Sequence, residues 1–329
     1  MTIKSLFLGR AARVGVTLGA IYGIVARAVV SFEPQTHRIG DAIAPLFSVM
    51  SLGFIICVPF AMGYLTVKPA PPSPPWWFRV FAPWIPCLLV VLAAFVIAWE
   101  GLICIVLALP IMLFFSSLGG LFTVTAASES GATLPIILLL PYVVMPLEHG
   151  RVAPREIVET TTETTISAPA NVVWRHVVSV DSIRPDEERP ALFTAIGFPR
   201  PISATLSHEG VGGIRDATFQ GGIHFVETVT RWEPERAIGF TIRAQPVPAS
   251  TLDPHVTIGG PYFDVLTGTY ELYPLSNGKV RLVLHSQHRV STEFNLYAGW
   301  WSDRIMRSIQ DNILDVIQRR CEGAAAAPS

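Results

Sequence analysis

The sequence predicts an α+β protein in which an all-α transmembrane region precedes a curved antiparallel sheet around one long C-terminal helix. Three observations carry this expectation. Half of the 329 residues are apolar and only 15% are charged, and before residue 150 the apolar residues gather into runs long enough to cross a bilayer. From Arg155 onward the pattern changes to the alternation of half-buried strands, broken at Gly, Pro and Asn. Beyond Phe294, apolar residues recur every three or four positions, as on an amphipathic helix.

In the first part, residues 1–150, four runs reach the roughly 20 residues that a hydrocarbon core requires: 14–32, 43–67, 80–99 and 102–124. A fifth, 134–147, is shorter and carries Pro135, Pro141 and Pro146; it is expected as a re-entrant segment or a short fifth span. Lys and Arg beside spans favour the cytoplasm. Four crossings from an internal N-terminus place Lys4, Arg10, Arg13, Lys68, Arg79, Arg151 and Arg155 inside and Arg38 alone outside. The expectation is therefore an integral protein of a bacterial inner membrane with its C-terminal domain in the cytoplasm. "PAPPSPPWWFR" (69–79) reads as a stiff extended loop that sets Trp76 and Trp77 at headgroup level. Arg27, near the end of the first run, is expected to snorkel. The runs are read as having no paired polar residues, no internal repeat and no GxxxG packing, which favours an anchor over a transporter.

Cys57, Cys87 and Cys104 lie in apolar runs and Cys321 is alone in the second part, so no disulfide framework is expected. A net charge of −1 without a basic stripe argues against a nucleic-acid partner.

The second part, 151–321, opens with a long Thr- and Val-rich strand, "EIVETTTETTISAP", and a short helix, "PANVVWRHVVSV". Six strands are expected at 202–208, 213–219, 223–232, 237–244, 262–273 and 279–290; no helix interrupts them, so the sheet is antiparallel. The terminal helix is expected over 294–320, and 322–329 as a disordered tail.

This order, together with "TTISAPANVVWRHV", "GVGGIRDATFQGGIHFVETVTRWEPERAIGFTI", "GTYELYPLSNGKVRLVLHSQHRV" and "LYAGWWSDRIMRSIQDNILDVIQRR", resembles the START-like, polyketide cyclase and lipid-transport superfamily, often labelled SRPBCC. The resemblance spans about half the chain, 156–321. It implies a helix-grip fold with a ligand between sheet and long helix; it implies no particular function, since that superfamily holds carriers, receptors, cyclases and oxygenase subunits.

Hairpin register identifies the residues of that space. A four-residue turn at 233–236 pairs Trp232 with Ala237 and, counting back, Val229 with Phe240 and Glu227 with Ile242; paired residues share a face. Glu227 then points inward with Phe225 and Val229. A three-residue turn at "QGG" (220–222) brings Arg215 opposite Glu227, with Ala217 and Phe219 also inward; a two-residue turn would bring Asp216 there instead, but the first register buries the more apolar face and pairs opposite charges. An odd loop at "SNG" sets Leu266, Tyr270 and Leu272 beside Leu282, Leu284, Ser286 and His288, with Tyr262 and Asp264 further along. Trp301 and Ile305 of the terminal helix complete the expected lining. An apolar hollow with a few convergent polar groups is what a small-molecule site looks like.

"HSQH" (285–288) is not expected to hold a metal, because strand residues three apart face opposite sides, and no cofactor is expected. "GVGG" (210–213) reads as a turn, and His149, His208 and His255 as solvated loop residues. The leading expectation is a non-enzymatic, membrane-tethered domain binding a lipid, isoprenoid or polyketide-like molecule. The alternatives are a cyclase or dehydratase using Glu227 or His288 as acid–base, and a membrane sensor or assembly factor with a structural helix-grip domain.

Overall fold

The computed structural model describes residues 9–31, 48–123, 133–148, 151, 153–184, 187, 192–245 and 257–326. Arg38, His149, His255 and the outermost residues of the first, second and fourth apolar runs lie outside them. The chain divides into two compact units, Met1–Val152 and Ala153–Ser329.

Among the described residues, the first unit consists of helices and the turns between them. Its helices are α1 (Arg10–Ser31), α2 (Val58–Val67, entered through a π-helical turn at Gly53–Cys57), α3 (Trp76–Phe81), α4 (Trp84–Val96), α5 (Leu102–Phe122) and α6 (Thr133–Glu148). Among the described residues three stretches are long and apolar enough to cross a membrane, Arg10–Val30, Trp76–Val96 and Leu102–Phe122, while Gly53–Val67 and Thr133–Glu148 are shorter. The Trp-rich segment expected as an extended loop instead opens a helix, because Pro75 supplies an extended N-cap just ahead of Trp76 and proline suits a helix start. The third span accordingly begins earlier than expected and ends at Val96.

Close packing in this unit comes from glycine, contrary to the expectation for its runs. Gly15, Gly19 and Gly23 of α1 lie against Thr66 and Met62 of α2. A Cβ on Gly15 would collide with the Thr66 carbonyl, one on Gly63 with that of Ser116, and one on Gly119 with that of Phe60. Small residues let helix backbones approach this closely. Helix α2, apolar all round, is thereby enclosed, with Val58, Ala61, Met62 and Tyr64 fully buried. Apolar side chains face outward instead on α1 (Leu18, Ile21), α4 (Leu89, Leu92), α5 (Phe114) and α6 (Ile136, Leu139).

Arg27 does not snorkel. It is 4% exposed, donates from Nε to Glu100 Oε1 at 2.8 Å and from Nη2 to the Trp99 carbonyl at 3.0 Å, and lies 5.2 Å from the Trp99 ring centroid. Glu148, at the end of α6, accepts from the Leu52 and Gly53 amides at 2.8 and 3.0 Å, placing a carboxylate on the free amides of a helix start.

The second unit is a curled antiparallel half-barrel gripping a long helix, the helix-grip arrangement. Its strands are β1 (Glu156–Ile166), β2 (Pro201–Leu206), β3 (Ile214–Phe219), β4 (Ile223–Glu233), β5 (Ala237–Ala244), β6 (Phe263–Pro274) and β7 (Val280–Val290), in the order β1-β7-β6-β5-β4-β3-β2. Two short helices, α7 (Ala170–Val178) and α8 (Leu192–Ala195), precede β2. The last helix, α9 (Asn295–Ala326), is 32 residues long, about 48 Å at the usual rise. It continues to Ala326, into the segment expected as a tail, since "CEGAAA" is rich in the strongest helix former.

The threonines of β1 explain how α9 docks. Thr160, Thr162 and Thr164 take alternate positions on one face of the strand and donate to Asp303 (2.9 Å), Gln310 (3.0 Å) and Gln318 (2.8 Å). Arg307 and Gln318 donate in turn to the Thr161 and Thr165 carbonyls, covering backbone that an edge strand would otherwise leave unpaired.

Candidate functional site

Glu227 points inward, opposite Arg215 on β3 and Ile242 on β5. The register holds because Gly221, at φ 77°, turns the chain between β3 and β4. The tip of the next hairpin differs from expectation: Glu233 pairs with Ala237 and Trp232 with Ile238. A shift between Val229 and Arg231 leaves Thr230 as a bulge, and this extra residue returns Val229 to Phe240 and Glu227 to Ile242.

Glu227 serves Arg215. The pair meets at 2.5 Å, and Glu227 is 8% exposed. Arg215 also donates from Nε and Nη2 to the Val178 and Val177 carbonyls, at 3.3 and 3.4 Å. These belong to the last turn of α7, where the helix dipole favours a cation. The guanidinium lies 5.1 Å from the Phe240 ring centroid and 5.9 Å from that of Tyr270. Burial works against its charge, but Glu227 and Tyr270 outweigh burial, so the Arg215 pKa is raised. For Tyr270 burial itself raises the pKa, with Arg215 opposing and Glu227 adding. The cluster fastens α7 to the sheet with its charges cancelled.

His288 is 0% exposed. Its Nε2 lies 2.9 Å from Ser302 Oγ, whose own proton goes to the Gly299 carbonyl at 3.0 Å. Nε2 is therefore the donor and Nδ1 a bare acceptor, buried with no partner among the described residues. Burial depresses the His288 pKa to about 4, with Asp303 pulling the other way. Ser286 accepts from Gln310 Nε2 at 2.7 Å. Both inward polar groups of β7 are thus bound to α9. His285 sits on the opposite face, beside Thr161 at 2.8 Å, and no group of three metal-ligating side chains occurs among the described residues.

The far part of β6 reverses the expected facing. A shift between Val265 and Thr267 leaves Leu266 unpaired at a bulge, and Val265, not Leu266, stands opposite His288. One inserted residue moves every residue beyond it to the other face. Phe263 therefore packs at the His288 ring, centroids 5.5 Å apart, while Asp264 pairs with Arg289 on the other face and Tyr262 precedes the strand.

The expected lining residues fall into two groups. Val229, Phe240, Tyr270 and Leu284 belong to a closed core with Val173, Trp174 and Val177 of α7 and Leu314 and Ile317 of α9. Phe225 and Phe219 belong to a second cluster with Ala217, Ile223, Val265 and Met306, against which Phe263 and Ile309 pack; Ile242 touches both clusters. Trp301 lies apart, edge-on to Phe193 and Tyr297, and Ile305 is buried on α9. Sequence reasoning missed Phe263, Val265, Met306 and Phe193. Met306 is beside a recognised helical stripe, but nothing in the irregular segment around Phe193 points to it.

In the second cluster, Phe219, Ile242, Phe263 and Ile309 remain half-buried although they face the interior. Helix α9 runs along β1, β7 and α7, so the inner face of β3–β5 is reached mainly by its side chains. GVGG is a turn, with Gly210 and Gly212 at φ 108° and 89°, and His208 is exposed there. The four cysteines are free.

No family model matches this chain, and no curated protein matches it. Among solved structures it is similar to XoxI from Bacillus cereus (14% identity over 52% of this chain and 99% of that one, TM-score 0.33). It is similar also to a conserved protein from Geobacillus kaustophilus (13%, 51% and 97%, TM-score 0.33) and to the Zhui aromatase/cyclase from Streptomyces sp. R1128 (15%, 53% and 99%, TM-score 0.33). The strand order and the gripped helix define the class of the second unit: an α+β helix-grip domain.

Proposed function

We propose that this protein is a membrane-anchored binding module that holds an uncharged, hydrophobic small molecule against the inner face of β3–β6. One observation carries the reading: apolar side chains of that face, Phe219, Ile242 and Phe263, stay half-buried because α9 follows β1 and β7. A lipid, isoprenoid or polyketide-like molecule would complete their burial, at about 25 cal/mol for each Å² removed from water. Acid–base chemistry fits less well. The Glu227 carboxylate is bound to Arg215, and His288 is neutral and enclosed, so neither offers the reachable proton site that general catalysis needs.

The first unit supports the anchoring part of this reading. Its outward faces are apolar and its enclosed centre is built on glycine, the arrangement suited to lipid as solvent. We take the shorter apolar helix Gly53–Val67 to cross beside the three longer stretches; four crossings from an internal N-terminus then put the helix-grip domain in the cytoplasm, in keeping with the Lys and Arg bias.

The test uses full-length protein in nanodiscs, with empty nanodiscs as background. An uncharged naphthylamine dye should bind saturably, and Ile242→Trp, which adds bulk to that face, should weaken binding at least about tenfold, a loss of about 1.4 kcal/mol. Equal binding by the variant and the parent chain would overturn the site.

A further inference from the structure

The start of α9 carries apolar side chains that the described residues leave exposed. Leu296 is 92% exposed and Trp300 is 48% exposed. They stand four residues apart, on one helix face. Arg304, four residues further, lies over the Trp300 ring with its guanidinium carbon 3.5 Å from the centroid. An aliphatic tip, an amphipathic indole and a cation in sequence along one face make the pattern of a segment lying at a headgroup boundary. Packing on the sheet needs none of the three: an adjoining face of this turn, at Gly299, meets Val158 and Glu156 of β1.

The chain also limits where this surface can be. Asn295 Nδ2 donates to the Pro154 carbonyl at 2.6 Å, which ties the first residue of α9 to the segment following α6. That apolar helix ends at Glu148. The few residues from Glu148 to Pro154 can span no more than ~20 Å even when fully extended. Arg151 and Arg155, both exposed, flank the same segment.

We infer that Leu296 and Trp300 insert into the headgroup–acyl boundary of the bilayer that holds the first unit, with Arg304 at the phosphates, so that the helix-grip domain lies against the membrane surface. This rests on the reading of the first unit as membrane-spanning. A docked domain would take up or release its ligand without that ligand crossing bulk water, whereas a merely tethered one would not.

Full-length protein with Cys57, Cys87, Cys104 and Cys321 replaced by serine is reconstituted in phosphatidylcholine–phosphatidylglycerol vesicles. Single nitroxide labels are placed by Leu296→Cys, by Val211→Cys in the β2–β3 turn and by Leu92→Cys on α4. Relaxation by oxygen is then compared with relaxation by a water-soluble nickel chelate. The label at 296 should show an oxygen-to-nickel ratio several-fold above that at 211 and approaching that at 92. A ratio at 296 equal to that at 211, with 92 in lipid, overturns this inference alone; water exposure at 92 overturns the spanning reading and the inference with it. Spin–spin broadening at 296 that persists in detergent marks a second copy of the chain as the occupant and also overturns it. Should the cysteine-free chain misfold, deuterium exchange of the native chain in nanodiscs decides. Residues 294–304 should exchange several-fold more slowly than in Leu296→Glu/Trp300→Glu, and equal rates would refute docking.

Discussion

Each unit hides an arginine–glutamate pair, Arg27–Glu100 in the first and Arg215–Glu227 in the second, and the two pairs are built for opposite surroundings. Arg27 and Glu100 sit among helices whose outer faces are apolar, Arg215 and Glu227 on a sheet whose apolar face is turned inward. Both arginines spend further donors on backbone carbonyls, Trp99 in one unit and Val177 and Val178 in the other. The shared lesson is that a buried guanidinium serves carbonyls at or just past a helix end, and its glutamate supplies the neutralising charge. The difference lies in the packing around them: glycine and backbone in the first unit, large side chains in the second.

The sharpest way to break this comparison is to strip one partner from the second pair. Glu227→Leu should cost about 3–5 kcal/mol in thermal or chemical unfolding, because Arg215 is left buried and uncompensated. Arg215→Met combined with Glu227→Leu should recover much of that loss, apart from the capping of α7. A double variant as unstable as the single one would show that the carboxylate, not charge balance, holds the site.

Protonation of His288 gives the next largest effect. With a folded pKa of about 4 against an ordinary value near 6.5, the unfolded chain binds the extra proton between those values. Stability therefore rises with pH through that window, is complete above about 6.5, and is lost as pH falls towards 4, by about 3 kcal/mol in all. His288→Leu should flatten the profile of the second unit between pH 4 and 6.5, measured by unfolding at each pH.

In the first unit, Gly19→Val should cost roughly 1–3 kcal/mol by overpacking, since its side chain meets Thr66 and the Met62 carbonyl. Detergent-resistant thermal aggregation measures the loss, and an unshifted midpoint would deny the close approach of α1 and α2. Smallest of all, Arg231→Ala on the exposed outer face should change stability by less than about 1 kcal/mol, although Arg231 meets both Glu233 and Glu271.

Strand alternation and the helical stripe on α9 made the second unit legible in sequence, and glycine-containing turns made the Arg215–Glu227 register legible. The bulges at Thr230 and Leu266 were not, because an inserted residue leaves no mark in composition. The first was harmless, restoring the deeper pairing; the second exchanged Leu266 and Asp264 for Val265 and Phe263. The partners of Ser286 and His288 were hidden too, since Gln310 and Ser302 lie on a different element and polar docking has no periodic signature. Gly15, Gly19 and Gly23 were visible at spacings of four, contrary to the expectation for these runs, but an apolar stretch conceals small residues among large ones.

The side chains that shield the outer backbone of β1 have a consequence for how copies of this chain meet. An open edge strand offers its free backbone groups to the edge of another molecule, which is how crowded sheets join strand to strand. By occupying the Thr161 and Thr165 carbonyls, Arg307 and Gln318 deny that border to a neighbour, so crowding need not end in fibrous association.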